Sequence, residues 1–273
     1  MNKLLLVVLT VSLAACQASD KEPRQAFPTG QWIDLTYAFS EETIFWPTAE
    51  SFRLDTVFAG MTEGGYYYSA FQFCLAEHGG THLDAPVHFS EGKWSVDEIP
   101  LERSIGEAIV VDVSEAALEN RDYQISVADM EGWEATYGQV PEGAIVLFRT
   151  GYGQFWPDRE TYMGTAERGP EAVTKLHFPG IAPDLAKWLV KNRKIKAVGL
   201  DTPSLDYGQS TLFESHQILN GENILGFENL ENLELLPPVG AYVIALPMKI
   251  AGGSGGPLRI VALVSDEPGL YEE

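Results

Sequence analysis

The sequence predicts a mixed α/β domain, with a central β-sheet or barrel-like core and flanking helices. Two observations carry that reading. Strand-like runs clearly outnumber helical ones. Several of those runs are continuously apolar, as strands covered on both faces are.

Residues 1–15 read as a signal peptide. Lys3 precedes a short apolar run, and small residues follow it. The run falls short of the about 20 residues that a membrane span needs. Leu13-Ala14-Ala15-Cys16 resembles a bacterial lipobox, so Cys16 is the expected lipidation site. Residues 16–31 then form a polar tether, and residues 32–273 one globular domain. The expected location is outside the cytoplasm, on a lipid anchor in a bacterial membrane and facing the periplasm.

Within the domain, residues 32–37 alternate like a strand. Residues 66–75 are aromatic-rich, read as a second strand, and deliver the chain to His78. Cys74 at its end has no partner once Cys16 is lipidated, and is expected to be a small buried hydrophobe. Residues 108–113 and 144–149 are apolar throughout. Between them Ser126 and Asp129 form an N-cap pair that opens a helix to about residue 137. Residues 183–191 read as an amphipathic helix with Leu185, Trp188 and Leu189 on one face. Strands follow at 195–201, 241–246 and 258–264. Gly252-Gly253-Ser254-Gly255-Gly256 lacks the lysine and helix start of a phosphate loop, so a tight loop close to a site is the better reading.

At 273 residues, with 45% hydrophobic and 21% charged residues, the chain can bury a core without disulfides. A formal net charge of −21 argues against a nucleic-acid partner and against electrostatic adhesion to lipid. Membrane contact is expected only through the lipidated N-terminus.

The chemistry concentrates in His78-Gly79-Gly80-Thr81-His82-Leu83-Asp84-Ala85-Pro86-Val87-His88. Three of the chain's five histidines lie here, with a carboxylate among them. Imidazole and carboxylate together suit a divalent metal such as Zn2+ or Mn2+. The glycines and Pro86 disfavour a helix, and no glutamate follows His78 as in helical zinc-protease motifs. In an extended chain His82 and Asp84 point to one side, and the glycines let His78 fold back to the same point. Further ligands must come from afar. His216 lies in a plausible helical turn and Glu228 follows it, although on pattern alone Glu214, Glu222 or Glu231 would serve equally. His177, before a Phe-Pro-Gly turn, reads as a structural hydrogen bonder. The aromatics Trp46, Tyr66, Tyr67, Tyr68, Phe71 and Trp94 are expected to be shared between core and pocket.

The His78 to Phe89 stretch resembles the signature of the cyclase family of metal-dependent hydrolases, which includes bacterial kynurenine formamidase and isatin hydrolase. Residues 198–204, 216–230 and 246–257 resemble its later blocks. The resemblance implies His78, His82 and Asp84 on one metal, with Asp84 bridging to a second held by His216 and Glu228. It implies that His88 is catalytic, moving a proton without binding metal, and that Trp46 packs against substrate. Thr48 departs from the glycine many members carry. The implied activity is hydrolysis of a small aromatic or cyclic amide, such as an aryl formamide or isatin, by metal-activated water. One or two Zn2+ or Mn2+ ions per chain and a homo-oligomer, dimer or tetramer, are implied with it. A lactone hydrolase, a non-hydrolytic cyclase, and a lipid-anchored metal-binding protein without turnover are the alternatives.

Overall fold

The computed structural model describes residues 29–265. The expected signal peptide, Cys16 and most of the tether lie outside the described residues. The strands are β1 (Gly30–Asp34), β2 (Arg53–Met61), β3 (Tyr67–Cys74), β4 (His82–Asp84), β5 (Ile105–Asp112), β6 (Gln124–Ile125), β7 (Ile145–Arg149), β8 (Gly180–Ile181), β9 (Ala197–Leu200), β10 (Leu225–Glu228), β11 (Ala241–Pro247) and β12 (Gly255–Ser265). The helices are α1 (Ser114–Glu119), α2 (Val127–Tyr137), α3 (Arg159–Met163), α4 (Pro170–Val173), α5 (Pro183–Asn192) and α6 (Glu214–Asn220).

The main sheet runs β1-β12-β11-β5-β7-β9-β10-β4, and β4 pairs back onto β12. That last pairing closes a barrel, so the barrel-like alternative of the sequence reading is the one adopted. β5, β7, β9 and β10 are mutually parallel. The seam through β10, β4, β12, β11 and back to β5 is antiparallel. β1 adds outside the ring on β12, with Gly30 opposite Ser265 and Gln31 opposite Val264. The sheet therefore starts two residues ahead of the expected domain start.

The parallel strands are apolar throughout because both their faces are covered. Ala108, Val110, Ile145, Leu147, Ala197 and Phe227 alternate into the barrel interior with Val243 and Ile260. The intervening Ile109, Val111, Val146, Phe148, Val198 and Leu200 pack outward beneath α2 and α5, through Met130, Trp133, Leu185 and Leu189. Helix α2 starts where its capping residues require. The Ser126 N–H and hydroxyl both donate to Asp129 Oδ2, each at 2.7 Å.

β2 and β3 form a separate two-stranded ribbon. This corrects two expectations. Tyr66, Tyr67, Tyr68 and Phe71 are exposed and belong to neither core nor pocket, and Cys74 is exposed as well. Their apolar pattern has a strand's period, but among the described residues no second layer covers the ribbon. Trp94 is half-buried beneath the Arg103 guanidinium, 5.7 Å from its ring centre.

Candidate metal centre and its pocket

The closing seam of the barrel carries the site. β4 holds His82 and Asp84, and Glu228 on β10 lies opposite His82. His78 enters from the loop before β4, and His216 from α6.

Two glycines shape that loop. Gly80 has φ +58°, a left-handed conformation in which side chains are rare. A Cβ on Gly79 would lie 2.1 Å from the Phe45 ring. Gly80 N–H donates to Ile44 O at 2.9 Å, so the loop is stapled to the segment that carries Phe45 and Trp46. Asn229 secures the other side. Its amide donates to Gly80 O at 2.8 Å, and its carbonyl O accepts from the Thr81 hydroxyl at 2.7 Å.

The donor atoms converge in two groups sharing Asp84: His78, His82 and Asp84, and Asp84, His216 and Glu228. His78 Nδ1 is 2.6 Å from Asp84 Oδ1. His82 Nε2 is 3.3 Å from Asp84 Oδ1 and 3.4 Å from Glu228 Oε2. His216 Nε2 is 3.3 Å from Asp84 Oδ2 and 3.2 Å from Glu228 Oε1. Each histidine is held by its other nitrogen. His82 Nδ1 donates to Gly80 O at 3.0 Å, His216 Nδ1 meets Asp206 Oδ2 at 2.6 Å, and His78 Nε2 meets Ser254 Oγ at 2.9 Å. Metal-binding histidines are oriented in this way.

Whether these residues fit a divalent ion can be tested on His82. Its Nε2 is buried and makes no hydrogen bond, although it faces two carboxylates. A buried polar atom without a partner costs about 1–3 kcal/mol, and a cation removes that cost. The titration behaviour agrees. Burial disfavours the charged form of His82, but the Asp84 and Glu228 carboxylates outweigh it and raise its pKa to about 9. Burial likewise opposes ionisation of Asp84, yet the three facing histidines hold it well below the usual carboxylate range. His216 is raised well above an ordinary histidine by Asp206, Asp84 and Glu228, against its burial. Burial and the neighbouring Asp84 push Glu228 up. Cationic charge is thus favoured at the point where the donors meet. The nitrogen and oxygen donor set fits Zn2+ or Mn2+.

His88 stands apart. It sits on the short 3-10 turn Pro86–His88, and its ring stacks on His78 at 3.7 Å and 16°. Neither group of ligands includes it. Burial keeps it neutral, lowering its pKa to about 3.

These groups line a cavity of ≈ 280 Å³, walled by Ile44, Phe45, Trp46, Phe89 and Phe213. Trp46 makes edge contacts with Phe178 and Phe213. His177 lies elsewhere, with Nδ1 2.8 Å from Asp122 Oδ1.

All five expected ligands, His88 and Trp46 therefore reach one cavity. The sequence reading missed Asp206 and Ser254, which contact ligand histidines, and Glu77, which accepts from Ser254. Ser254 lies in the glycine-rich run that was placed near a site, and that run was its only signal. Asp201, in the resembling block 198–204, is a buried brace: it accepts from Thr150 N–H at 2.8 Å and Gly151 N–H at 2.9 Å.

The sequence profile of the Cyclase family matches residues 33–207. The chain belongs to the Cyclase family. Among its relatives, isatin hydrolase of Roseibium aggregatum is 34% identical over 70% of this chain and 73% of that protein. Kynurenine formamidase of Salinibacter ruber is 32% identical over 86% of this chain and 99% of that protein. The solved structure of isatin hydrolase A from Labrenzia aggregata, bound to benzyl benzoate, superposes with a TM-score of 0.78 at 32% identity, covering 86% of this chain and 94% of that one. The barrel fold is therefore shared with this isatin hydrolase.

Proposed function

We propose that this Cyclase-family chain is a metal-dependent hydrolase that cleaves a carbon–nitrogen bond in a small aromatic or cyclic amide, isatin-like substrates first among them. The observation that carries the reading is the two donor groups sharing Asp84, with neutral His88 stacked beside them. His78, His82 and Asp84 would hold one ion, and Asp84, His216 and Glu228 a second. A divalent ion so held activates water at neutral pH and polarises a carbonyl.

The chain's own residues supply the rest. Phe45, Trp46 and Phe213 sandwich a flat substrate ring and exclude water from it. At ≈ 280 Å³ the cavity is just smaller than typical ligand pockets, which run about 300–1,000 Å³, and this favours one or two fused rings. His88 takes one proton from the attacking water on a ring nitrogen. It then gives that proton to the departing amide nitrogen, so protons balance over the cycle.

The test is a panel of isatin, N-formylkynurenine and simple lactones, assayed with Zn2+ and with Mn2+. Isatin opening with a mass gain of one water supports the reading. Turnover of lactones alone replaces it with ester chemistry, and loss of water from a product indicates a cyclase.

Two further features belong to the same reading. We read the N-terminal segment as an export signal ending in a lipidated Cys16, checked by labelling with a fatty-acid analogue in cells and its loss in Cys16→Ala. We read the β2–β3 ribbon as the contact with a second copy of this chain. An isolated two-stranded ribbon is marginal in water, yet this one exposes Tyr67 to 65%, Phe71 to 51% and Phe73 to 53%. With Phe58, Tyr66, Tyr68, Leu54, Val57 and Met61, it offers on the order of 700 Å² of coverable apolar surface, close to the about 800 Å² per partner of a stable interface. Among residues 53–74 only Arg53, Asp55 and Glu63 are charged, so two copies of a chain of net charge −21 meet here without opposing acidic surfaces.

A further inference from the structure

We propose that Glu77 and Ser254 are positioning residues for His78, fixing its proton on Nε2 so that Nδ1 is the atom presented to the metal. The proposal rests on the metal-centre reading above and adds residues to which that reading gives no role.

Ser254 donates twice to one carboxylate oxygen. Its hydroxyl reaches Glu77 Oε2 at 2.6 Å, and its backbone N–H reaches the same atom at 3.1 Å. A serine hydroxyl has a single proton, and that proton is committed to Glu77. The remaining contact of the hydroxyl, His78 Nε2 at 2.9 Å, is therefore one in which the oxygen accepts and Nε2–H donates. A neutral imidazole carries one N–H. With an ion bound, the other nitrogen, Nδ1, would give it the lone pair, and Nδ1 is the atom that lies beside Asp84 Oδ1 in the donor group.

The glycine-rich run is shaped to hold this chain of bonds. A Cβ on Gly253 would lie 2.8 Å from Glu77 Oε1, and one on Gly255 would lie 2.5 Å from His78 Cε1. The backbone packs directly against both residues, so positions 253 and 255 have no room for a side chain. The run is also anchored to the ligand strand. Ser254 O accepts from Ala85 N–H at 2.9 Å, and Gly255 pairs with Asp84 at the start of β12. Because His88 stacks on His78, a His78 ring that turns also disturbs the catalytic histidine.

The experiment uses the folded full chain stripped of metal by chelation. Zn2+ affinity is measured by competition with a chromophoric chelator for the parent, Ser254→Ala and Glu77→Gln. Solvent exchange of the His78 Nε2–H is read in the Zn2+-loaded protein by 15N NMR of its ring nitrogens. Loss of such an orienting partner lowers metal affinity by about 10–100-fold. That loss is expected in Ser254→Ala, together with faster exchange of the His78 Nε2–H than in the parent. Unchanged affinity and an unchanged Nε2–H exchange in the variants overturn the proposal. If Ser254→Ala does not fold, Glu77→Gln, which keeps side-chain size and the glycine packing, decides the matter by the same two readouts. A parent chain that fails to bind Zn2+ or Mn2+ overturns the metal-centre reading itself. A parent that binds while both variants bind equally well overturns only the roles of Glu77 and Ser254.

Discussion

His88→Ala separates metal binding from proton transfer within a single short stretch of chain. The substitution removes an imidazole whose ring centre lies 3.7 Å from that of His78 and 6.1 Å from that of His216. It leaves both donor groups whole, since neither contains His88. Metal content is therefore expected to match the parent. A positioned acid–base group contributes about 10²–10⁴ in rate, so turnover should fall by that factor, about 3–5 kcal/mol of transition-state stabilisation. The lost stack on His78 and edge contact with Phe89, at 4.5 Å, cost about 1–2 kcal/mol in stability by the usual worth of ring pairs. The assay is metal content by atomic emission, kcat/KM on the Proposed-function panel and thermal melting, all on one preparation. Loss of metal with the ring would make His88 a ligand. Turnover close to the parent's would show that the proton moves by another route. Either result refutes the division of labour.

Three further outcomes follow from the geometry. Asp206→Asn replaces the carboxylate that holds His216 Nδ1 at 2.6 Å, so Zn2+ affinity should drop about 10–100-fold, read by chelator competition. Glu134, bonded by Arg193 Nη2 at 2.6 Å and Nε at 2.7 Å, is held below its ordinary pKa chiefly by that guanidinium. A depressed carboxylate stabilises the fold above its unfolded pKa and loses that contribution as pH falls through the folded value. Glu134→Gln should therefore cost on the order of 1–2 kcal/mol near neutrality, with the difference from the parent vanishing below the folded pKa in urea melts across pH. The double substitution Tyr67→Ser and Phe71→Ser should lower the oligomeric state in light scattering while leaving the cavity intact. A parent already monomeric, or an unchanged state in the variant, removes the ribbon as an interface.

Much of this architecture was legible because local rules and burial coincide. The runs at 108–113 and 144–149 became β5 and β7 since both their faces are covered, and Ser126 with Asp129 marked the start of α2. The ligand stretch was legible because few structures other than a metal site gather three histidines around two glycines and an aspartate. What stayed hidden depends on partners distant in the chain. The β-periodicity of residues 66–75 does not say what covers the aromatics, so Cys74 and the tyrosines were placed in a core that the ribbon does not join. Gly255 and Gly256 read as loop, yet they begin β12; the close approach of His78 demands glycine at 255 even within a strand. The choice of Glu228 over Glu214, Glu222 and Glu231 rested on resemblance. Its physical basis is the register of β10 on β4, which sets Glu228 opposite His82. Asp206 and Glu77 carry no local pattern at all.

The barrel closes through a strand of three residues, β4, held on one side by β10 and on the other by β12. So short a seam has few ladder bonds of its own, and it is also where buried carboxylates crowd together. An ion gripped from β4 and β10 at once would act as a rivet across the weakest joint of the cylinder. Metal removal should then loosen the protein unevenly. Backbone amides of β4 and the end of β10 should exchange with solvent sooner, while those of β5 and β7 on the far wall keep their protection. Catalytic competence and mechanical closure of the barrel would thus be lost together, at one place, on demetallation.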